Sequence, residues 1–247
     1  MQLHERLTSG SSELDLHIFQ SESRTPIGRT LVLVHGLPRA LGMGRTAAGM
    51  LPELAEHVAH ESGWLVATGT MSGVGNSTGT FSATQWLADL HTIVDRLEQY
   101  DHPIALAAFG LGGNVALRLA ALDERIRGIA TFATSAHLDV LCGEPAKFRG
   151  QLNRAGVVQS GQQLLEADEL WADVASLDPL GSIATIPPRR LLIGHGTDDL
   201  DVPVSDARDL YAAAEEHAEL RIIFGAGHTL RADPRMVATL LGWLDRH

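Results

Sequence analysis

The residues of this sequence with chemistry to offer are histidines and aspartates set among glycines. They fall in four short stretches: His35-Gly36-Leu37-Pro38, Gly110-Leu111-Gly112-Gly113-Asn114, the run from Gly194 through His195, Asp198, Asp199 and Asp201 to Pro203, and Gly225-Ala226-Gly227-His228. An imidazole exchanges a proton near neutral pH, and a carboxylate beside it fixes which ring nitrogen does so. Glycine-rich turns leave backbone N–H groups free to meet an oxyanion or a phosphate. Each stretch follows a short apolar run, and in an open parallel sheet ligands bind outside the carboxyl ends of the strands.

Those apolar runs are the elements that must position the chemistry. Seven are rich in Val, Ile and Leu: Leu14 to Phe19, Thr30 to Val34, Trp64 to Thr68, Ile104 to Phe109, Gly128 to Phe132, Arg190 to Gly194 and Leu220 to Phe224. The first alternates and reads as an antiparallel leading strand; the others read as buried strands of a mainly parallel sheet. Between them lie amphipathic helices. Trp86, Leu87, Leu90, Ile93, Val94 and Leu97 share one helical face, and Ser82 with Gln85 predicts a capping box. Asp233 caps a last helix with Pro234 at its first position and a stripe from Met236 to Leu244. From 137 to 186 the alternation stops. Helical patterns there, around Ala146 to Leu152 and Gly161 to Ala175, predict a helical lid inserted into a single domain spanning 1–247.

Composition narrows the function classes. The 247 residues are 45% hydrophobic and 20% charged with a net charge of −11, which suits a large folded α/β domain and argues against a grip on nucleic acid or anionic lipid. Cys142 is the single cysteine, so no intramolecular disulfide forms, and a reducing cytoplasmic setting is expected. The first residues, Met1 to Arg6, carry charge where a secretion signal needs an apolar core, and the apolar stretch from Ile104 to Leu122 is broken by Asn114, Arg118 and glycines. No membrane partner is expected.

Taken together, the four stretches resemble those of α/β-hydrolases, in the order that family uses and over nearly the whole chain. His35-Gly36 is similar to the start of the oxyanion loop, Gly73-Val74-Gly75-Asn76-Ser77 to a Gly-x-Gly-x-Ser turn, His195-Gly196 with Asp199 and Val202-Pro203 to the acid loop, and His228 to the catalytic histidine. The resemblance implies an α/β-hydrolase fold, a mostly parallel sheet flanked by helices with a short helical lid. It also implies that His228 acts as a general base oriented by Asp199, and that the N–H groups of Leu37 and Leu111 form the oxyanion hole. One departure is decisive. Aligning Gly112-Gly113 with the end of the Gly-x-Ser-x-Gly elbow puts Gly110 where the serine belongs, and Ala108 replaces the first glycine. Losing the nucleophile alone costs a serine hydrolase on the order of 10⁶ in turnover, which from about 10 per second leaves roughly 10⁻⁵ per second.

Several residues carry rival readings. Ser72, Ser77, Thr134, Ser135 and Cys142 are candidate relocated nucleophiles, though only the elbow sets an oxygen above a helix start. His35 and His195 are expected to pack and hydrogen-bond. His57 and His60 lack a third metal ligand at nearby spacing and read as a solvated face, so no metal is expected. Met43, Met71 and Trp86 read either as pocket lining or as core. The glycine turn at 110–115 invites a dinucleotide, but Val115 stands at the last glycine position and no acid is placed to hold ribose, so no cofactor is expected. The expected partner is a small molecule: either the substrate of an enzyme using a His–Asp dyad on an acyl, ester or carbonyl group, or the ligand of a non-catalytic relative. A third reading is a serine esterase whose nucleophile was replaced by Gly110.

Overall fold

A computed structural model of the protein describes residues 1–38, 43–158 and 162–246, without the side chains of 43–50, 140 and 141. The Met43 side chain and the start of the helical pattern at Gly161 lie outside this description. The strands are β1 (Gln2–Ser9), β2 (Ser12–Phe19), β3 (Thr30–Val34), β4 (Leu65–Thr70), β5 (Ile104–Phe109), β6 (Ile126–Phe132), β7 (Arg190–Gly196) and β8 (Ala218–Ile223). They form one sheet in the order β1-β2-β4-β3-β5-β6-β7-β8. β1 and β2, and β2 and β4, pair antiparallel; every other pairing is parallel.

The described helices are α1 (Met43–Ser62), α2 (Ala83–Leu97), α3 (Leu111–Leu122), α4 (Leu138–Cys142), α5 (Pro145–Ala155), α6 (Ala167–Ala175), α7 (Pro179–Ala184), α8 (Val204–Ala213) and α9 (Pro234–Asp245). Side chains alternate along each strand, so the central strands feed two cores. Val32, Val34, Ile104, Leu106 and Ala108 pack with α2, α3 and α8; Leu31, Leu33, Ala105, Ala107 and Phe109 pack with α1 and α9. This double burial is why those strands read as continuous apolar runs. The chain has the α/β-hydrolase architecture that the motifs implied, with helices α4 to α7 filling the interval before β7. Within that interval the described residues form helices and one isolated bridge, Thr80 to Val158. No described helix is long and apolar enough to cross a membrane.

Three local expectations change. An eighth strand, β1, precedes the seven expected ones, so Leu14 to Phe19 is the second strand. β8 runs from Ala218 to Ile223, and Phe224 beyond it is exposed. Half of the expected capping box forms at α2: Ser82 accepts from the Gln85 N–H at 3.0 Å, but the Gln85 amide turns to Asp89 at 2.8 Å rather than back to the cap. The carboxylate of Asp89 is itself buried and takes the Ser72 N–H at 2.7 Å, so it outcompetes the cap for the glutamine. At α9, Asp233 accepts from the Arg235 N–H as the sequence predicts.

Asp173 of α6 takes the N–H groups of Ala83 and Thr84 at the same helix start, and Ser82 that of Gln85. Ser82→Ala is expected to lower stability by about 1 kcal/mol, read as a fall in melting temperature of roughly 2–4 °C for a chain of this size.

Candidate active site

The carboxyl ends of β3, β5, β7 and β8 meet at one edge of the sheet. β5 ends at Phe109 and reverses into α3 through Gly110, whose φ of +53° and ψ of −130° suit glycine and strain any residue with a Cβ. Its N–H donates to the Phe132 carbonyl at 2.9 Å, which pins the bend to β6. Gly112 lets the bend sit close to the neighbouring loop, since a Cβ there would collide with the His35 carbonyl oxygen. A Cβ placed on Gly110 meets no obstruction: its nearest neighbours are His228 Nε2 at 3.6 Å and the Gly36 Cα at 3.8 Å. The glycine thus leaves a gap facing the imidazole.

His228 reaches this gap from the loop after β8. Its Nδ1 lies 2.8 Å from Asp199 Oδ2, in the loop after β7. Asp198 and Asp201 play other parts. Asp198 accepts from the Thr197 hydroxyl at 2.7 Å, and the backbone N–H of Asp201 donates to Asp199. The Asp199 side chain is fully buried, while that of His228 is 22% exposed. Burial alone would raise the Asp199 pKa, but hydrogen bonds from His195, His228 and the N–H groups of Val202 and Asp201 outweigh it and hold the carboxyl well below the usual range. With the carboxylate ionised, His228 Nδ1 donates to it, which leaves Nε2 as the ring nitrogen facing Gly110. His195 packs behind the pair, its Nε2 3.0 Å from the Val202 carbonyl and 3.4 Å from Asp199.

The third wall is the loop after β3. His35 is buried, its Nε2 accepting from the Met71 N–H at 2.9 Å and its Nδ1 donating to the Gly36 carbonyl at 2.8 Å. Its ring sits edge-on to Trp86 at 5.0 Å. Burial pushes the His35 pKa down to about 4, with the Gly36 carbonyl opposing and Arg231 adding to the effect. His35 is thus a packing and hydrogen-bonding residue, and Trp86 and Met71 belong to the core. The N–H groups of Leu37 and Leu111 meet no backbone acceptor among the described residues, and both residues line the cavity beside Gly110.

That cavity measures about 640 Å³. Gly110, His228, Leu37 and Leu111 form its floor, Phe148, Leu152 and Arg154 of α5 its roof, and Leu200 and Arg231 part of its rim. The α5 residues and Arg231 were absent from the sequence reading. The helical pattern at 146–152 was the available signal for α5; an arginine three residues beyond His228 looks like any solvated turn.

The other candidate nucleophiles are engaged or shut away. Ser77 donates to the Thr70 carbonyl at 2.5 Å, Ser135 to the Asp206 carboxylate at 2.7 Å, and Thr134 leans toward the Phe132 carbonyl at 3.5 Å. Ser72 is buried, and its hydroxyl meets no hydrogen-bond partner among the described residues. Cys142 is buried and its thiol is pushed up to about 12 by desolvation, far from a reactive thiolate. His57 and His60 lie on the exposed face of α1. Among the described residues, three groupings bring metal-capable atoms within 4.8 Å of one another: His4-Asp15-His17, His137-Asp206-Asp209 and Asp199-Asp201-His228. In the first, both imidazoles turn to the same carboxylate, His4 at 2.6 Å and His17 at 3.4 Å. In the last, His228 Nδ1 is already spent on Asp199.

No protein-family model and no curated protein sequence matches the chain. Solved structures do. An α/β-hydrolase from Penicillium, GrgF, superposes with a TM-score of 0.70 at 20% identity over 100% of this chain and 99% of that one. An esterase from Pyrococcus furiosus gives 0.72 at 18% identity, over 100% and 91%. The thioesterase domain of the curacin biosynthetic pathway gives 0.67 at 15% identity, over 99% of both chains. The fold is the α/β-hydrolase fold.

The His35 shift sets a stability window. An imidazole held neutral by burial leaves the unfolded chain binding the extra proton below pH 6.5, so stability is expected to fall by about 3 kcal/mol as pH drops from about 6.5 to about 4. Denaturant midpoints at stepped pH measure this, and His35→Gln is expected to be less stable at neutral pH but flatter across that interval.

Proposed function

We propose that the protein is a hydrolase-type enzyme that acts on a small acyl, ester or carbonyl substrate through His228 and Asp199, without a serine acyl-enzyme. One observation carries the reading: His228 Nε2 stands 3.6 Å from the point where a Cβ on Gly110 would lie, while Nδ1 holds a buried carboxylate at 2.8 Å. The imidazole is oriented as a base toward a gap roomy enough for a water oxygen. Structural likeness to an esterase and a thioesterase domain supports the hydrolase class.

The chemistry follows from the placement. A substrate carbonyl oxygen sits against the N–H groups of Leu37 and Leu111, the oxyanion hole of this reading. Water above Gly110 gives a proton to Nε2 as its oxygen bonds to the carbonyl carbon, and Asp199 stabilises the imidazolium that forms. The tetrahedral oxyanion then collapses, the bond to the leaving oxygen breaks, and that oxygen takes the proton back from His228. The products are an acid and an alcohol. A substrate with an acidic C–H beside its carbonyl would instead give that proton to Nε2, its electron pair moving onto the carbonyl oxygen as an enolate held by the same N–H groups, and His228 would return the proton to carbon or oxygen. The helices from 137 to 186 serve as the lid, since α5 closes the cavity from above.

The missing nucleophile favours a second reading, a non-catalytic protein whose old pocket holds a ligand. The test separates them. The purified protein is expected to hydrolyse members of a panel of aryl and alkyl esters slowly, and His228→Ala to lower that rate by about 10²–10⁴-fold, with fluorophosphonate labelling no serine. No turnover in either protein, together with a ligand that raises the melting temperature and is recovered unchanged, would establish the binding reading instead.

Gly110→Ser asks whether only the attacking atom is gone. Its hydroxyl would lie within hydrogen-bond reach of Nε2, so aryl-ester hydrolysis is expected to rise on the order of 10³-fold or more. The positive φ makes serine cost about 1 kcal/mol of stability. An unchanged rate would mean that the pocket has diverged for other work.

A further inference from the structure

The cavity holds a cation that the protein itself does not neutralise. Arg231, on the 3-10 turn Leu230–Ala232 that follows His228, lines the cavity and is only partly exposed. Its Nε is buried and has no hydrogen-bond partner, and no carboxylate among the described residues forms an ion pair with it. Burial without compensation lowers its pKa from the ordinary arginine value. Arg189, whose pKa burial also lowers, differs in being hydrogen-bonded: its guanidinium donates to the carbonyls of Ile186, Asp123 and Ile126 at 3.1 to 3.3 Å. A guanidinium carries five N–H donors in a planar fork; with Nε buried, the terminal nitrogens of Arg231, which no described residue hydrogen-bonds, are the donors left for a ligand in the cavity.

We infer that Arg231 is the anchor for a carboxylate on the substrate, held in the same cavity as His228 and Gly110. The inference rests on the hydrolase reading for what happens at His228, but the anion site stands on Arg231 alone. Guanidinium and carboxylate match as a bidentate pair, and the match gains strength in a partly desolvated pocket. Arg154 of α5 adds a second cation at the roof, exposed and without an ion pair among the described residues. Two such cations at one cavity stand out in a chain of net charge −11. Asp201 at the rim and Asp199 behind His228 keep the total negative charge the site tolerates low, which favours a single-charged carboxylate over a doubly charged phosphate. The substrate class is therefore a carboxylic acid that also bears the reacting ester or carbonyl group, such as the hemiester of a dicarboxylic acid.

Binding tests this directly. Calorimetry and thermal shift are run on the wild-type protein, Arg231→Met and His228→Ala. The probes are benzoate and monoethyl succinate, their neutral carboxamide counterparts, and phenyl phosphate. The carboxylates are expected to bind wild type and His228→Ala, and to bind Arg231→Met about 10- to 100-fold more weakly, with the carboxamides indifferent to position 231. Without ligand, Arg231→Met is expected to melt at or above the wild-type temperature, because an unmatched charge has been removed. A clear fall in its ligand-free melting temperature would make Arg231 a structural residue and overturn the inference. So would carboxylate affinity equal in wild type and Arg231→Met, tighter binding of phenyl phosphate, or no carboxylate binding at all. Failure of the hydrolase reading looks different: Arg231-dependent binding of monoethyl succinate that is never cleaved leaves the anion site in place and removes the catalysis.

Discussion

The arrangement of the site depends on one buried carboxylate. Asp199 is withdrawn from water yet ionised, because two backbone N–H groups at 2.9 Å secure one of its oxygens and His228 secures the other. A buried charge without such partners would neutralise itself. Once it is charged, the tautomer and tilt of His228 follow, and the imidazole has one remaining nitrogen to present. That nitrogen points at the bend between β5 and α3. The loops after β7 and β8 are thereby tied to each other at the sheet edge where the cavity opens.

Glycine at that bend sets the energetics of the site. A left-handed backbone is a strain that a serine would carry, and Gly110 adopts it freely. The close contact of the loop after β3 with the bend persists, since it depends on Gly36 and Gly112 rather than on residue 110: a Cβ on Gly36 would press against the Phe109 carbonyl at 2.8 Å. The scaffold that would position a tetrahedral intermediate is thus independent of the atom that would form it. This independence is what allows the proposed pair of His228 and Asp199 to work on water or on a substrate proton.

The parts of the fold that were legible are those where burial writes a pattern. Strands β3 to β7 are covered on both faces, so they read as apolar runs, and the residues after β3, β5, β7 and β8 hold the candidate site. β1 was missed because it is an edge strand with alternating exposure, and only Leu3 and Leu7 of its eight residues are apolar. Its pairing with β2 is a tertiary fact that Gln2 to Ser9 does not announce. The Gln85 side chain followed Asp89 because its amide N–H finds a buried carboxylate acceptor there, whereas the cap offers it only a backbone N–H donor. His228 and Asp199 were legible from their place after strands. Arg231 was not, because a lone arginine in a polar turn becomes informative only when its surroundings prove to lack an acceptor.

That last point bears on how a nucleophile-free pocket could be effective. A serine is tethered, and the tether supplies much of the effective concentration that drives attack; a water in its place must be held by its neighbours and by the substrate. The burden of positioning therefore passes from the enzyme's nucleophile to the bound molecule. Phe148 and Leu152 of α5 and a carboxylate locked on Arg231 would fix the substrate at two points, leaving its carbonyl one place to lie against the N–H groups of Leu37 and Leu111. In the proposed chemistry the unmatched guanidinium and the missing serine are thus complementary: the more completely the substrate is clamped, the less the reaction depends on a covalent hold.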